Sequence, residues 1–136
     1  MPEWGIGDRA LAERVAALER ELAKMREEVR TKRLFVVDEK GKTRGGLGVT
    51  EDGAGLMLLD EKGQVRVGLS AAEEGPGLML LDEKSQVRFG LTVTKEVSVV
   101  NLFDEKGQVR AKLRVDEDGP VLSLFDEKGN GIWGGP

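Results

Sequence analysis

Residues 56–77 read LMLLDEKGQVRVGLSAAEEGPG, and this stretch decides the fold because the chain repeats its pattern. The tetrapeptide Asp-Glu-Lys-Gly, or once Asp-Glu-Lys-Ser, begins every 22 residues without insertion or deletion, at Asp38, Asp60, Asp82, Asp104 and Asp126. A period this regular is typical of a chain that builds one small structural unit several times. We therefore expect four full units and a shortened fifth, at 34–55, 56–77, 78–99, 100–121 and 122–136.

Each unit contains two short runs in which apolar residues recur at every second position. In the second unit Leu56 and Leu58 form the first run, and Val65, Val67 and Leu69 form the second. Period-two alternation over this length predicts half-buried β-strands, and helical spacing fits neither run. Each run is expected to place its recurring residues on one face of a sheet.

Two kinds of turn separate these predicted strands. Asp-Glu-Lys-Gly suits a tight hairpin link that ends with Gly in the left-handed conformation, and Ser85 fills that position once at a backbone cost. The second link is an acidic corner such as Glu73-Glu74-Gly75-Pro76. The third unit has Lys95-Glu96-Val97-Ser98 instead, so its corner is expected to be built differently. The order strand, tight turn, strand, corner predicts an antiparallel β-meander over 34–136.

The N-terminal part has a different character. From Asp8 to Arg33 there is no Gly or Pro, and helix-forming residues dominate, with Asp8 placed to cap the first turn. Apolar residues recur at alternating spacings of four and three, at Leu11, Val15, Leu18, Leu22, Met25 and Val29. This narrow heptad stripe predicts a coiled-coil oligomerisation helix over 9–33, preceded by a lead at 1–8.

Charged residues beside the stripe favour a parallel arrangement. Positions that meet between neighbouring parallel helices carry opposite charges in three pairs: Arg14 with Glu19, Glu21 with Arg26, and Glu28 with Arg33. Each exposed pair contributes only a few tenths of a kcal/mol, so their effect is on orientation and register. Val15 and Leu18 favour two strands, whereas the stretch from Arg14 to Glu19 resembles an Arg-h-x-x-h-Glu pattern (h apolar) of trimeric coiled coils. A solvated helix that lies on the repeat domain is the alternative.

The meander is expected to have a single apolar face, and no other part of the chain can cover it. Three copies facing inward around an axis would cover one another, as a trimeric β-prism or an intertwined β shaft. Ten strands would stack over roughly 45–50 Å. We therefore favour a homotrimer over a dimer. The alternative for a single chain is a ten-stranded up-and-down barrel that binds a ligand as a monomer.

In layout the chain resembles the homotrimeric fibre proteins, in which a coiled-coil neck precedes β repeats, as in phage tail fibres and trimeric adhesin stalks. The resemblance rests on the heptad stripe at 11–29 and the five units, and it covers nearly the whole chain. It implies a mainly β, non-enzymatic structural protein that acts as a fibre, stalk or spacer. It brings no functional residues with it.

Composition argues against several functions. The chain has 21 Lys and Arg against 25 Asp and Glu, a net charge of −4, so no basic face for nucleic acid is expected. It has no His and no Cys, which removes the commonest general base and the commonest metal ligands, and we expect neither catalysis nor a cofactor. Without a signal peptide or a long apolar run, we expect a soluble chain without membrane insertion, in the cytoplasm or as part of a virion or fibre.

Three features invite a binding function. The acidic turns suggest calcium, but the ligand spacing of an EF-hand is absent and solvated hairpin tips are favoured. Arg recurs at one position of each full unit, where ion pairs with acidic residues on adjacent strands are favoured over an anionic polymer; these residues are Arg44, Arg66, Arg88 and Arg110. Trp133 either plugs the end of an apolar interior or forms a tip that recognises a glycan or a protein.

Overall fold

The structure, a computed structural model, describes residues 6–27 and 30–136. The chain divides into two compact parts, an N-terminal part at 1–32 and a β part at 33–136. The N-terminal part contains one helix, α1, Ile6–Glu27. Asp8 lies in its first turn, and Lys24 and Arg26 lie in its last turn. Each of these charges is favourable at its end of the helix dipole, so sequence and local electrostatics agree over this segment.

Both predicted ends of the helix need correction. Because α1 begins at Ile6, Asp8 lies inside the first turn and is not the N-terminal cap. The prediction of helix as far as Arg33 is wrong, because Arg33 begins the first strand and pairs with Gly48. The aromatic and β-branched residues that follow Arg33 favour a strand, and the ladder they form outweighs helix propensity. Glu28 and Val29 lie outside the described residues.

The β part of the chain is a ten-stranded antiparallel sheet. Its strands are β1 Arg33–Val37, β2 Thr43–Thr50, β3 Gly53–Leu59, β4 Val65–Ala72, β5 Gly75–Leu81, β6 Val87–Val93, β7 Ser98–Phe103, β8 Val109–Asp116, β9 Gly119–Phe125 and β10 Gly131–Gly135. Strand order follows sequence order, which confirms the predicted mainly β meander. The sheet does not close, since β1 and β10 are its two edges, so the alternative of a closed barrel is wrong.

The tight turns are closed as the tetrapeptide predicts. In four tips the last residue is Gly with φ between 75° and 82°, and in the third tip Ser85 takes φ 61°. Ser85 is the only non-glycine residue with positive φ in the described part of the chain. The tip of the third unit therefore has the fold of the others at the cost of a strained residue.

The corners use a second glycine geometry. Gly53, Gly75 and Gly119 have φ between 106° and 134°, and a Cβ on Gly75 would collide with the Val93 carbonyl oxygen. The third-unit corner is built differently, as predicted. There the Thr94 hydroxyl accepts hydrogen bonds from the backbone N–H groups of Glu96 at 3.3 Å and Val97 at 3.1 Å. A side-chain turn thus replaces the glycine.

A β-bulge follows every tight turn. Val67 pairs with Leu58 and Val65 pairs with Leu59, so Arg66 is an extra residue without a partner in the ladder. Since Leu59 points away from the face of Leu58, Val65 also lies on the opposite face from Val67. The prediction that Val65 continues the alternation of its strand is therefore wrong. The equivalent extra residues are Arg44, Arg88, Arg110 and, in the last unit, Ile132.

Ser85→Gly is expected to raise the free energy of unfolding by about 0.5–1 kcal/mol. A non-glycine residue in the left-handed region costs roughly 1–2 kcal/mol, and part of the gain is lost to the greater freedom of glycine in the unfolded chain. Urea denaturation followed by circular dichroism, at one fixed protein concentration, measures the change.

The matched control is Gly63→Ser, at the same position of the preceding unit. Gly63 has φ 79°, and a Cβ there would have no neighbour within 4 Å, so only backbone strain is introduced. The free energy of unfolding of Gly63→Ser should be lower than that of the parent by a similar amount. If both variants unfold at the same urea concentration as the parent, left-handed strain at Ser85 does not limit stability.

Candidate functional site: apolar surfaces of the sheet and helix

The aspartates that open the tetrapeptides are turn-forming residues. The Asp60 carboxylate accepts hydrogen bonds from the backbone N–H groups of Lys62 at 2.9 Å and Gln64 at 3.0 Å. The same two bonds occur at all five tips, with lengths between 2.8 and 3.1 Å. The Asp60 backbone N–H also donates to the Gln64 carbonyl at 2.9 Å. Each carboxylate thus holds its own turn and the bulge that follows.

These bonds stabilise the ionised form of the carboxylates. The backbone N–H of Gln64 is the main cause that lowers the pKa of Asp60, and equivalent bonds lower the pKa of Asp82 and Asp104. The pKa of Asp126 is lowered first by the side-chain amide of Asn130, which donates to it at 2.9 Å. Across 6–27 and 30–136, no group of three or more acidic residues is placed to hold a metal ion.

The recurring arginines are engaged by the tips. Each of the four bulge arginines turns back toward the aspartate six positions earlier, with nitrogen to oxygen distances of 3.4–3.8 Å. Arg88 reaches further, since its Nε donates to the Phe103 carbonyl at 3.0 Å, and Arg110 Nε donates to the Phe125 carbonyl at 2.9 Å. These two Nε bonds join consecutive tips. The ion pairs expected from the sequence are present, but each joins an arginine to the aspartate of its own turn and not to an acidic residue on an adjacent strand.

One face of the sheet is a continuous apolar surface, termed here the Leu/Val face, with two rows of paired residues. The first row is Leu34, Leu47, Leu56, Leu69, Leu78, Leu91, Val100, Leu113 and Leu122. The second row is Val36, Gly45, Leu58, Val67, Leu80, Phe89, Leu102, Ala111, Leu124 and Trp133. Because the bulges keep every hairpin in the same register, neither row is broken.

No other part of residues 33–136 covers the Leu/Val face. Leu34, Leu69 and Trp133 remain 51%, 48% and 52% exposed, and no described apolar side chain is buried. Among the residues whose burial is described, Gly45 and Gly46 are the only buried positions. Removing a half-exposed Leu or Val side chain from water is worth about 1 kcal/mol, so the face offers on the order of 10 kcal/mol to whatever covers it. A surface of this size and continuity marks an interaction site.

The opposite face, termed the Gly/Met face, is apolar over part of its area. Its central row is Phe35, Gly46, Met57, Gly68, Met79, Gly90, Asn101, Lys112, Ser123 and Gly134. Large side chains alternate with glycines over β1–β6, and the row becomes polar from Asn101 onward. An open groove of about 480 Å³ lies over β1–β5. The expectation of a single apolar face is therefore wrong for this half. The sequence signal for this face was the glycine that recurs every 22 residues, at Gly46, Gly68 and Gly90.

The helix carries the predicted stripe on its surface. Leu11, Val15, Leu18, Leu22 and Met25 are between 46% and 61% exposed. Arg14, Glu19, Glu21 and Arg26 all lie in α1. The third predicted pair is not within the helix, because Arg33 is in β1 and Glu28 lies outside the described residues. Two of the three predicted pairs thus remain available to a partner helix.

Comparison with known proteins adds no assignment. No protein-family model matches the chain, and a search of curated proteins finds no match. No helix in the described ranges combines the length and apolar character needed to cross a membrane. The interpretation of function therefore depends on the surfaces themselves.

Acid is expected to destabilise the hairpin tips. The folded pKa of Asp60, Asp82, Asp104 and Asp126 lies below the ordinary value of 3.8, so their contribution is fully present above that pH and is lost as pH falls through the folded pKa. Thermal unfolding followed by circular dichroism between about pH 6 and pH 3 measures the loss.

The control is Asp82→Asn, which keeps an oxygen acceptor but removes the charge. This variant should unfold at a lower temperature than the parent at neutral pH, and the gap should narrow in acid. A gap that stays constant down to about pH 3 would show that ionisation of the tip carboxylate contributes nothing.

Proposed function

We propose that this chain is a non-enzymatic structural homotrimer that acts as a stalk, spacer or fibre segment. The carrying observation is the Leu/Val face, whose two rows cross the sheet without a break while no described apolar side chain is buried. A single layer cannot bury its own face, and β-sheets are stable when that face packs against another layer. Since nothing else in residues 33–136 supplies the layer, further copies of the same sheet are the simplest cover.

Three copies fit this surface as the sides of a prism. Each sheet would turn its Leu/Val face toward a common axis, and the tips, with their charged turns, would remain in solvent. Every strand pairs with its sequence neighbours. This supports three side-by-side sheets over an intertwined shaft, in which neighbouring strands would come from different chains.

The helix supplies alignment in this assembly. Three stripes from Leu11 to Met25 would form a parallel coiled coil, with Arg14 facing Glu19 and Glu21 facing Arg26 of neighbouring chains. A helix of 22 residues is marginal alone, so the coil and the sheets would stabilise each other. The polar groups of the tips support a structural role, because the aspartates and arginines are engaged in holding the turns.

Light scattering coupled to size-exclusion chromatography should give a mass of about 44 kDa, three copies of the 14.8 kDa chain, or a whole multiple of about 44 kDa. Leu122→Glu should abolish it, since a carboxylate on the covered face costs about 3 kcal/mol or more per chain. The matched control is Ser123→Glu, on the same strand but on the opposite face. A monomer mass for the parent, or equal masses for both variants, would refute the prism.

The helix is tested separately with adjacent residues. Leu18→Asp places a charge in the stripe, and Ala17→Asp places the same charge beside it, where the side chain remains in solvent. We expect the first variant to dissociate at roughly 100-fold higher protein concentration than the second, as the loss of buried Leu contacts predicts. Light scattering over a dilution series measures this. Equal dissociation of the two variants would indicate that α1 does not form the seam.

A further inference from the structure

The last strand is an edge without the usual protection against pairing. β10 contacts β9 on one side, and no strand of the described chain lies on its other side. It carries no charged residue, and Ile132 and Trp133 are 64% and 52% exposed. Edge strands normally avoid association by means of inward charges, a proline within the strand or a covering segment. Gly131, Gly134 and Gly135 instead leave the backbone of β10 open to close approach.

The two edges of the sheet differ. β1 continues into the N-terminal part through residues 30–32, and its first residue is Arg33. β10 is the farthest strand from β1 in the sheet, nine strands along the order. An assembly that adds strands to the sheet has its unobstructed site at β10.

We propose that β10 of one copy pairs with β10 of a second copy and continues the sheet across a two-fold axis. Two identical strands related by a two-fold axis perpendicular to the sheet are antiparallel, as are all neighbouring strands of this sheet. The same axis keeps the Leu/Val faces of both copies on one side. The partner is therefore chemically defined: it is this chain, and the interface is self-complementary.

The alternation of side chains restricts the register of this pair. Residues that lie directly opposite each other must share a face, so the axis lies between the two copies of one residue and not at the level of a peptide bond between neighbouring residues. An axis through Gly134 places Trp133 opposite Gly135 of the partner subunit, and Gly134 opposite its own equivalent. This sets a large side chain against a glycine, as in the pairs of Phe35 with Gly46 and Met57 with Gly68. Within one chain the Trp133 ring already lies 3.6 Å from the Cβ position of Gly135.

The pairing does not rest on the trimer, because it doubles whatever mass the coil and the Leu/Val face produce. If the prism forms, three β10 pairs meet at once, and the product is a hexamer with one three-fold and three two-fold axes. Three weak edge contacts held together act as one multivalent contact, which offsets the shortness of β10.

Ile132→Lys tests the pairing in the full-length protein. Ile132 is the extra residue of the last bulge, so a lysine there charges the edge without replacing a ladder partner of β9. We expect a parent of six chains, about 89 kDa from the 14.8 kDa chain, to become three chains, about 44 kDa, in light scattering. Equal masses of parent and variant overturn the proposal, and so does an open-ended series of masses, which would indicate β10 pairing with β1.

A cysteine trap tests the register, since the chain has no Cys. The nearest atom to a Cβ on Gly134 is the Leu122 carbonyl oxygen at 3.6 Å, and on Gly68 it is Met79 Cε at 3.6 Å, so both positions accept the substitution. Under mild oxidation Gly134→Cys should run as a disulfide-linked dimer on a non-reducing gel, because directly opposite Cβ atoms approach disulfide distance. Gly68→Cys, on the same face in β4, should remain a monomer band. No dimer at position 134, or equal dimer at both positions, refutes this register.

Discussion

The two hydrogen bonds that each tip aspartate accepts from the backbone are the interaction on which the sheet depends. They close the turn and fix where the second strand re-enters the ladder, one residue late, at the bulge occupied by Arg66 and its equivalents. A slip of one residue at any tip would turn all later side chains to the other face. Because five tips make the same choice, nineteen positions align in two rows, and the Leu/Val face exists at all.

In the proposed trimer, the Leu/Val face would couple folding to association. A chain with no buried apolar side chain among its described residues has little to set against the conformational entropy lost on folding, which is roughly 1–2 kcal/mol per residue for the backbone. Local hydrogen bonds and turns specify the hairpins, and in the proposed trimer the remaining free energy of folding would come largely from contacts between copies. The stability of such a trimer would depend on protein concentration.

Local chemistry made most of the fold predictable, and tertiary pairing produced the differences. The repeat, both turn types, the strained position of Ser85 and the partners of the arginines follow from residues close in sequence. The prediction of helix as far as Arg33 failed because pairing with Gly48, 15 residues away, outweighs helix propensity. The prediction of the face on which Val65 lies failed because period-two counting does not detect a bulge. The partially apolar Gly/Met face was missed because glycines carry no hydrophobic signal until Met57 and Met79 are seen beside them.

Pairing only between sequence neighbours makes length a modular property of this molecule. Each unit of 22 residues adds two strands, or roughly 9–10 Å along the stack, and meets identical chemistry above and below. Duplication or loss of a whole unit by recombination would change the length of the sheet in fixed steps and leave the register of the remaining strands intact. The number of repeats in the gene therefore sets the length of the sheet, in steps of one 22-residue unit.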